Sequence, residues 1–448
     1  MITSAIGKTF LNAYNEEYGK NYDAKTFFEK VFFPIIFGGT KYALWVQNSP
    51  FVQGLTAINA TEYGKKIKDS NGKINIKPLD EGLLQSMLKE FEDKVDKSNP
   101  DASIAIGFPA QDTTATTSGQ VTDMLLPTNK EEVFLSWIGS ALAVGIKGGF
   151  NILFNQKDIL MDVFNGWKYY RHVLDNTSQL KGNKINTWNG QWLVHYYDRR
   201  TFDKDKPLAG FSPYTGKDGT LTVDLQTWTK VLIGIARVYQ DIEVMGYVYN
   251  IGQTNTTLGF IPFLLTQIRR PIQLYEKYFG MDDGRKAESL WGTAIGFKAA
   301  CRNGVIGLKA MEPKGLTEYI QGGKLPKPEK NDEQRISYNT YKIWILSMLN
   351  NEELWQESEE LAQLLSDASV NKEKKISTKS ANTVNEVLSA VNKKQFVEAV
   401  TKVVSSVGAT DRLVSIVKDV HSMPTDNVPY FLALVRFQYA ALNNKSNH

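Results

Sequence analysis

Apolar residues recur at helical spacing over much of this chain. Glu81–Val95 repeats them at Leu83, Leu84, Met87, Leu88 and Phe91, which predicts an amphipathic helix. A second helix is predicted after Thr128, because Thr128 followed by Glu131 has the pattern of a capping box. It would carry its buried face on Val133, Phe134, Trp137, Ile138 and Leu142.

Aromatic residues crowd the first 60 positions, where Phe27, Phe28, Phe32 and Phe33 require burial. Pro34 and the following glycines predict that this helix ends near Phe33. Further along, a helix is predicted through Trp167 and Tyr170 and another around Thr227–Gln240. Phe260–Leu265 fits a strand or the start of a helix.

The last third of the chain is helical by pattern. Residues 322–335 are rich in glycine, proline and charge, which is typical of a linker. Helices are predicted after it at Trp344–Leu365, Thr383–Val391 with a Thr383/Glu386 capping box, Phe396–Val404, Leu413–Val420 and Pro429–Leu442. We therefore predict an α+β protein, with a mixed α/β body over residues 1–335 and a helical bundle over residues 336–448.

Composition narrows the compartment and the chemistry. The chain has 448 residues, of which 42% are hydrophobic and 22% charged, as in ordinary globular proteins. Its single cysteine excludes an internal disulfide, and its four histidines have no metal-pair spacing. With no signal-peptide pattern and no apolar run long enough for a bilayer, we expect a soluble cytoplasmic protein that does not bind membranes.

Positive charge is modest and unevenly placed. The formal net charge is +4, and residues 262–335 hold all of the excess, with 13 Lys and Arg against 9 Asp and Glu. The other two blocks, residues 1–261 and 336–448, are balanced at 27 against 27 and 12 against 12. Such a charge is compatible with a nucleic-acid backbone but weaker than that of a dedicated nucleic-acid-binding protein, which suggests a share in a larger assembly.

The stretch Lys181–Arg200 concentrates side chains that suit a ligand. Its amides and cations alternate with Trp188 and Trp192, and amides suit base edges, cations suit phosphates and flat rings suit stacking. The candidate readers of a nucleic acid are Lys181, Asn183, Lys184, Asn186, Asn189 and Gln191. The alternative is an Asn189-Gly190 turn between two strands, with both tryptophans packed in the core.

Two other polar pairs are candidates for contact. Gln47 and Asn48 stand before a proline, between apolar anchors, where either a contact site or an Asx-type turn fits. Arg269 and Arg270 follow the apolar segment Phe260–Leu265, so at least one of them is expected to reach solvent or a phosphate. A surface ion pair is the alternative for these arginines.

Catalytic motifs are missing from the sequence. It contains no phosphate-binding G-x-x-x-x-G-K-[ST], no G-x-S-x-G and no H-E-x-x-H pattern. Asp80, Glu92 and Lys94 loosely match a magnesium-dependent nuclease, but Glu92 and Lys94 fall on the predicted amphipathic helix. We therefore expect a recognition protein without catalytic residues, metal or cofactor.

Four stretches resemble the large subunit of a type I CRISPR Cascade effector complex, closest to type I-B members that lack zinc-binding cysteines. They are KYALWVQNSPFVQG, SWIGSALAVGIKGGFNILF, KGNKINTWNGQWL and MPTDNVPYFLALVRFQYAAL. The resemblance implies a non-catalytic subunit that binds the 5′ end of the guide RNA, recognises the protospacer-adjacent motif of double-stranded target DNA and supports the R-loop in antiviral defence. Its implied partners are the backbone and small helical subunits and a helicase-nuclease recruited after target binding.

Roles for individual residues are our inference and not a motif of the family. We assign motif reading to the 181–191 candidates, the guide-RNA end to Gln47 and Asn48, and a DNA backbone to Arg269 and Arg270. Met348 could start a separately translated helical product. Two other functions fit the sequence, namely a magnesium-dependent nuclease of a defence system and a scaffold that binds protein or glycan.

Overall fold

The structure is a computed structural model of the chain. It describes residues 1–39, 41–46, 49–53, 64–68, 70–71, 74–78, 81–97, 104–108, 129–240, 242–250, 256–320, 330–369, 378–407 and 411–445.

Helices dominate the fold. The α-helices are α1 Ile2–Tyr18, α2 Ala24–Phe27, α3 Phe33–Phe37, α4 Pro50–Gln53, α5 Glu81–Lys97, α6 Lys130–Ala141, α7 Lys157–Asn165, α8 Trp167–Asn176, α9 Ile185–Tyr196, α10 Trp228–Val238, α11 Leu265–Phe279, α12 Met281–Ala287, α13 Phe297–Arg302, α14 Leu316–Ile320, α15 Asp332–Leu349, α16 Glu353–Ser369, α17 Thr378–Ser389, α18 Lys393–Val407, α19 Asp411–Ser422 and α20 Val428–Lys445. Short 3₁₀ turns lie at Leu308–Met311 and Thr425–Asn427.

The strands form one four-stranded sheet and two hairpins within the described residues. They are β1 Gly64–Lys68, β2 Ile74–Pro78, β3 Val144–Ile146, β4 Phe150–Phe154, β5 Tyr214–Lys217, β6 Thr220–Val223, β7 Val244–Asn250 and β8 Thr256–Phe263. The larger sheet is antiparallel in the order β3-β4-β7-β8, and β1–β2 and β5–β6 pair separately. A bulge interrupts the β7–β8 register between Val248 and Tyr249. The predicted α+β class is confirmed.

Contacts between residues divide the chain into two compact units. Unit 1 comprises Met1–Leu265 with Cys301–Val305, and unit 2 comprises Thr266–Ala300 with Ile306–His448. The sequence put the boundary near residue 335, whereas these contacts group much of the region before the predicted linker with the C-terminal helices. Among the described residues no helix is both long and apolar enough to cross a membrane.

The first helix of unit 1 packs on α6 through glycines. A Cβ on Gly7 would lie 2.1 Å from the carbonyl oxygen of Leu135, and a Cβ on Gly139 would lie 1.9 Å from the carbonyl oxygen of Thr3. The two backbones therefore approach more closely than any side chain at these positions would allow.

Pro34 does not end its helix, contrary to the prediction. A π-helical turn, Phe28–Phe32, joins α2 to α3, and the helix continues through Pro34 to Phe37. A proline near the start of a helical segment removes a backbone donor that has little use there, so the chain tolerates it.

The start of α6 has the predicted type of cap, one residue later than expected. Asn129 accepts from the Glu132 amide at 2.9 Å, and Glu132 accepts in return from the Asn129 amide. The predicted cap residue, Thr128, lies outside the described residues. Helix α5 and the helix around Thr227–Gln240 are confirmed, the latter as α10 with Thr227 as its cap.

Two details of the C-terminal helices differ from the prediction. The single helix predicted at Trp344–Leu365 is two helices, because Asn350 adopts a left-handed backbone (φ 54°) that ends α15. Thr383 lies inside α17 and does not cap it. Helix α15 begins at Asp332, so the last residues of the predicted linker are helical.

Candidate nucleic-acid interface

Within the stretch Lys181–Arg200, residues Ile185–Tyr196 form helix α9, so Asn189-Gly190 is not a hairpin turn, and Lys181, Asn183 and Lys184 lie in the loop before the helix. Three of its amides bond to the protein interior. Asn189, fully buried, donates to the carbonyl oxygens of Ala141 (2.7 Å) and Ala143 (2.9 Å) and accepts from Trp167 Nε1 at 3.2 Å. This amide satisfies backbone groups between α6 and β3, so Asn189 cannot meet a base.

Asn186 and Gln191 have similar internal partners. Asn186 donates to the carbonyl oxygens of Ser140 at 2.9 Å and Ala143 at 3.0 Å. Gln191 donates to the Asp224 carbonyl oxygen at 2.7 Å and accepts from Gln226 at 3.0 Å. The prediction that Asn186, Asn189 and Gln191 read bases is therefore wrong, because their hydrogen-bonding groups hold α9 to neighbouring segments.

Both tryptophans of α9 lie in the core, as the alternative interpretation expected. Trp188 donates to the Gly166 carbonyl oxygen and Trp192 to the Asp162 carbonyl oxygen, each at 2.9 Å. Trp188 stacks on Tyr170 and Trp192 on Tyr169, with ring centroids 4.9 Å apart in each pair. These rings offer no face to a ligand.

Lys181 and Lys184 are accessible to a ligand, as the sequence predicted. Both side chains are exposed in the loop between α8 and α9. The backbone of this loop is fixed, because the Lys181 amide donates to the Leu221 carbonyl oxygen (2.9 Å) and the Lys184 amide to Tyr170 Oη (3.0 Å). Asn183, between them, has a left-handed backbone (φ 62°). The loop thus holds two cations at the surface of unit 1.

A second segment is bonded to this loop. The amides of Asn183 and Ile185 donate to the carbonyl oxygens of Tyr42 (2.8 Å) and Ala43 (3.1 Å). Lys41 Nζ donates to the carbonyl oxygens of Thr177 at 2.7 Å and Ser178 at 2.9 Å. Residues 41–43 and 177–185 therefore form one structure, which we call the tethered loop pair.

Arg171 hydrogen-bonds to the tethered loop pair and helps to hold it in place. Its guanidinium donates to the Lys41 carbonyl oxygen at 2.8 Å and to both carboxylate oxygens of Asp175, at 2.8 and 3.1 Å. Burial lowers the pKa of Arg171, and the Asp175 carboxylate opposes that shift.

Gln47 and Asn48 lie outside the described residues, so their predicted contact with the guide-RNA end stays a prediction.

Arg269 and Arg270 belong to unit 2, on the first half of α11. Both are half-buried. With the Gln273 amide turned so that its oxygen faces Arg269, that oxygen accepts from Arg269 Nε and Nη2 at 3.1 and 3.0 Å. The charge of Arg270 contributes to a lowered pKa of Glu352, after the larger effects of Lys277 and Tyr278 on that carboxyl. The predicted contact of Arg269 and Arg270 with a DNA backbone remains a prediction.

A buried carboxylate that sequence reasoning missed lies beside α9. Asp162 on α7 accepts from the hydroxyls of Tyr197 (2.8 Å) and Tyr239 (2.7 Å). Burial raises the pKa of Asp162, and both burial and this carboxylate raise the pKa of Tyr239. Adjacent tyrosines at 196 and 197 were the only signal in the sequence, and they do not identify a carboxylate 35 residues earlier.

Glu92 and Lys94, two of the three residues of the nuclease alternative, form ion pairs with different partners. Lys25 Nζ donates to Glu92 at 3.3 Å, and Lys94 pairs with Glu90 at 3.4 Å. Asp80 lies outside the described residues. Across the described ranges, no group of three or more His, Cys, Asp or Glu side chains is placed to hold a metal ion.

Comparison of the chain with protein-family models, curated proteins and solved structures found no match in any of the three.

Proposed function

We propose that this chain is the large, non-catalytic subunit of a CRISPR RNA-guided DNA surveillance complex. In this role it binds the 5′ end of the guide RNA, recognises the protospacer-adjacent motif in double-stranded DNA and supports R-loop formation. Its partners are the backbone and small helical subunits, and a helicase-nuclease acts after target binding. The resemblance of four sequence stretches to that family supports the proposal.

The observation that carries the proposal is the convergence of three of those stretches. The segment starting at Lys41 bonds to the segment 177–185 in the tethered loop pair. Asn186 and Asn189 on the latter stretch bond in turn to carbonyl oxygens in 140–143, within the third stretch. Segments as far apart in the chain as Lys41 and Thr177, 136 residues, thus build one local structure that holds an exposed loop, and loops held by a rigid scaffold often carry binding residues.

Fewer residues remain candidates for contact with a nucleic acid than the sequence indicated. Lys181 and Lys184 remain as exposed cations on a fixed loop, with Asn183 between them. These cations suit phosphates, while Asn186, Asn189 and Gln191 serve the fold. The modest net charge fits a subunit of an assembly that reads sequence mainly by base pairing.

Purification with partners tests the proposal. The native chain, tagged and isolated from its host, should co-purify with CRISPR-associated subunits and an RNA of fixed length. Motif-bearing duplex should then bind the complex, and Lys181→Gln/Lys184→Gln should weaken that binding while Lys20→Gln, an exposed lysine elsewhere in unit 1, should not. Recovery of the chain alone, with no RNA, would refute the role.

A further inference from the structure

One face of β7 and β8 carries a row of aromatic rings. Along β7, Met245, Tyr247 and Tyr249 alternate with Gly246 and the buried Val248. Across the strands, Tyr247 pairs with Phe260, Met245 with Pro262 and Tyr249 with Thr257. Because paired residues of antiparallel strands share a face, the three rings lie on the same side of the sheet.

These rings contact one another; Phe260 is open to solvent, and Tyr247 and Tyr249 are half-buried. The ring centroids of Tyr247 and Phe260 lie 5.2 Å apart, and those of Tyr247 and Tyr249 lie 5.8 Å apart. Phe260 is 59% exposed and Met245 is 38% exposed. Exposed apolar side chains next to one another, such as Phe260 and Met245, make this face a candidate interaction site. We call Tyr247, Tyr249 and Phe260 the ring face.

The same side of the sheet is covered over its other two strands. Leu153, which pairs with Tyr247, is only 1% exposed. On β3, a Cβ on Gly145 would lie 3.1 Å from the Asn186 carbonyl carbon, so α9 rests on that strand. Strands are spaced by about 4.8 Å, which puts β3 about 14 Å from β8. The exposed loop of Lys181 and Lys184, just before α9, therefore lies near β3, at the other edge of the sheet from β8.

Charge around the ring face is asymmetric. Neither β7 nor β8 contains a charged residue. Lys147 is exposed in the β3–β4 turn, where a Cβ on Gly149 would lie 3.5 Å from Asn250 Oδ1 at the end of β7. Glu243 is exposed at the opposite end, before β7 begins. A polyanion that lies on the rings would extend towards Lys147, Lys181 and Lys184.

We propose that the ring face stacks unpaired bases of a single-stranded nucleic acid whose phosphates run towards Lys147, Lys181 and Lys184. Every base presents a flat π-face, so rings of this kind bind single strands without regard to sequence. Aromatic side chains on a four-stranded antiparallel sheet are a known way to hold two or three bases. The cations on one side of the ring face favour a polyanion over an uncharged protein surface. This inference requires neither a guide RNA nor a recognised motif, so it does not depend on the proposed function.

Binding of short oligonucleotides to the full chain tests the proposal. Fluorescence anisotropy at low salt would use labelled oligothymidine and oligouridine of about 15 nucleotides, which covers common site sizes. Tyr247→Leu/Phe260→Leu should weaken binding about 100-fold, or about tenfold for each ring, equivalent to about 1.4 kcal/mol per ring. The ring-keeping double variant Tyr247→Phe/Phe260→Tyr and the control Tyr18→Leu, an exposed tyrosine on α1, should bind like the native chain.

The two probes separate the possible sources of the strand. Equal affinity identifies stacking and phosphate contact common to DNA and RNA, and tighter oligouridine binding identifies RNA through its 2′-hydroxyl. Photocrosslinking of 5-iodouridine should label Tyr247, Tyr249 or Phe260. Crosslinks confined to other residues, native affinity in the leucine variant, no binding of either probe, or a protein subunit on the ring face in the purified complex would each overturn the proposal. Lack of co-purifying RNA would overturn the proposed function alone.

Discussion

The Asn189 side-chain oxygen accepts a hydrogen bond from Trp167 Nε1 at 3.2 Å, while the amide nitrogen of the same side chain donates to two carbonyl oxygens. One buried amide thereby satisfies an indole of α8 and the chain between α6 and β3. Asn189 is for this reason a structural residue of unit 1.

Substitution of Asn189 should reduce stability. Asn189→Leu leaves the Trp167 indole and two buried carbonyl groups without this partner, and each such loss costs about 1–3 kcal/mol. We expect the free energy of unfolding of unit 1 to fall by about 3 kcal/mol, measured by amide hydrogen exchange of α9. Asn186→Ala, at a half-buried position, should cost less. Native stability together with weaker DNA binding in Asn189→Leu would instead restore its role as a base reader.

Close packing of α1 on α6 predicts a strong effect at Gly139. A Cβ there would lie 1.9 Å from the Thr3 carbonyl oxygen, so Gly139→Ala must push the helices apart. Overpacking of this kind costs about 1–3 kcal/mol or more. Thermal unfolding should show a clear fall in Tm, and Gly296→Ala, where nothing lies within 4 Å, should show little change. An unchanged Tm in Gly139→Ala would contradict this helix contact.

The tethered loop pair should loosen when Arg171 is replaced. Arg171→Lys retains a positive charge but loses the planar fork that reaches both the Lys41 carbonyl oxygen and Asp175. The amides of Asn183 and Ile185 should then exchange about 10 to 100 times faster, since a charge-assisted bond contributes about 1.5–3 kcal/mol. Arg200→Lys, whose partner Asp198 is 3.8 Å away, is the matched control. Equal exchange in both variants would show that Arg171 does not hold the loops.

Unit 2 should show pH-dependent stability through Glu357. Burial, followed by the nearby Asp419 carboxylate, raises the pKa of Glu357 from 4.5 to about 7. Because the folded protein holds this proton more tightly than the unfolded chain, the stabilisation is complete below about pH 4.5 and is lost as the pH rises towards 7. Glu357→Gln should therefore match the native protein in acid and exceed its stability at about pH 8. Chemical unfolding at both pH values measures this, with Glu398→Gln as an exposed control; a constant difference across pH would refute it.

Salt dependence tests the two exposed lysines of the proposed site. Each phosphate contact contributes about one unit to the slope of log affinity against log salt. Lys181→Gln/Lys184→Gln should lower the slope for duplex DNA by about two units, while Lys20→Gln should leave it unchanged. An unaltered slope in the double variant would place the phosphate contacts elsewhere.

Periodicity predicted much of the helical structure but not the role of α9. Helices α5 and α10 follow from apolar spacing and from the Thr227 cap. In α9, asparagine and glycine favour turns locally, yet bonds from Asn186 and Asn189 to distant carbonyl groups outweigh that preference. Similarly, Asn350-Asn351 was a signal for a helix end, because asparagine adopts a left-handed backbone more readily than most residues, but the apolar spacing on both sides outweighed it in the prediction.

The sequence predicted the exposed cations of the candidate site but not the position in which they are held. Lys181 and Lys184 are exposed, as their polarity suggests, because long cationic side chains are costly to bury. Their fixed position depends on bonds to residues 41–43, more than 130 residues earlier in the chain, as the bond from Lys41 to Thr177 illustrates. The ring face had a signal in the alternation of Tyr247 and Tyr249, but its completion by Phe260 depends on strand register.

The bulge between Val248 and Tyr249 has a consequence for solubility. Strand β8 is the last in its sheet within the described residues, and a regular, flat border there would recruit strands from other molecules. Irregular pairing, together with the positive φ of 90° at Gly259, disrupts that template. The chain can thus display aromatic rings to water without offering its backbone for aggregation.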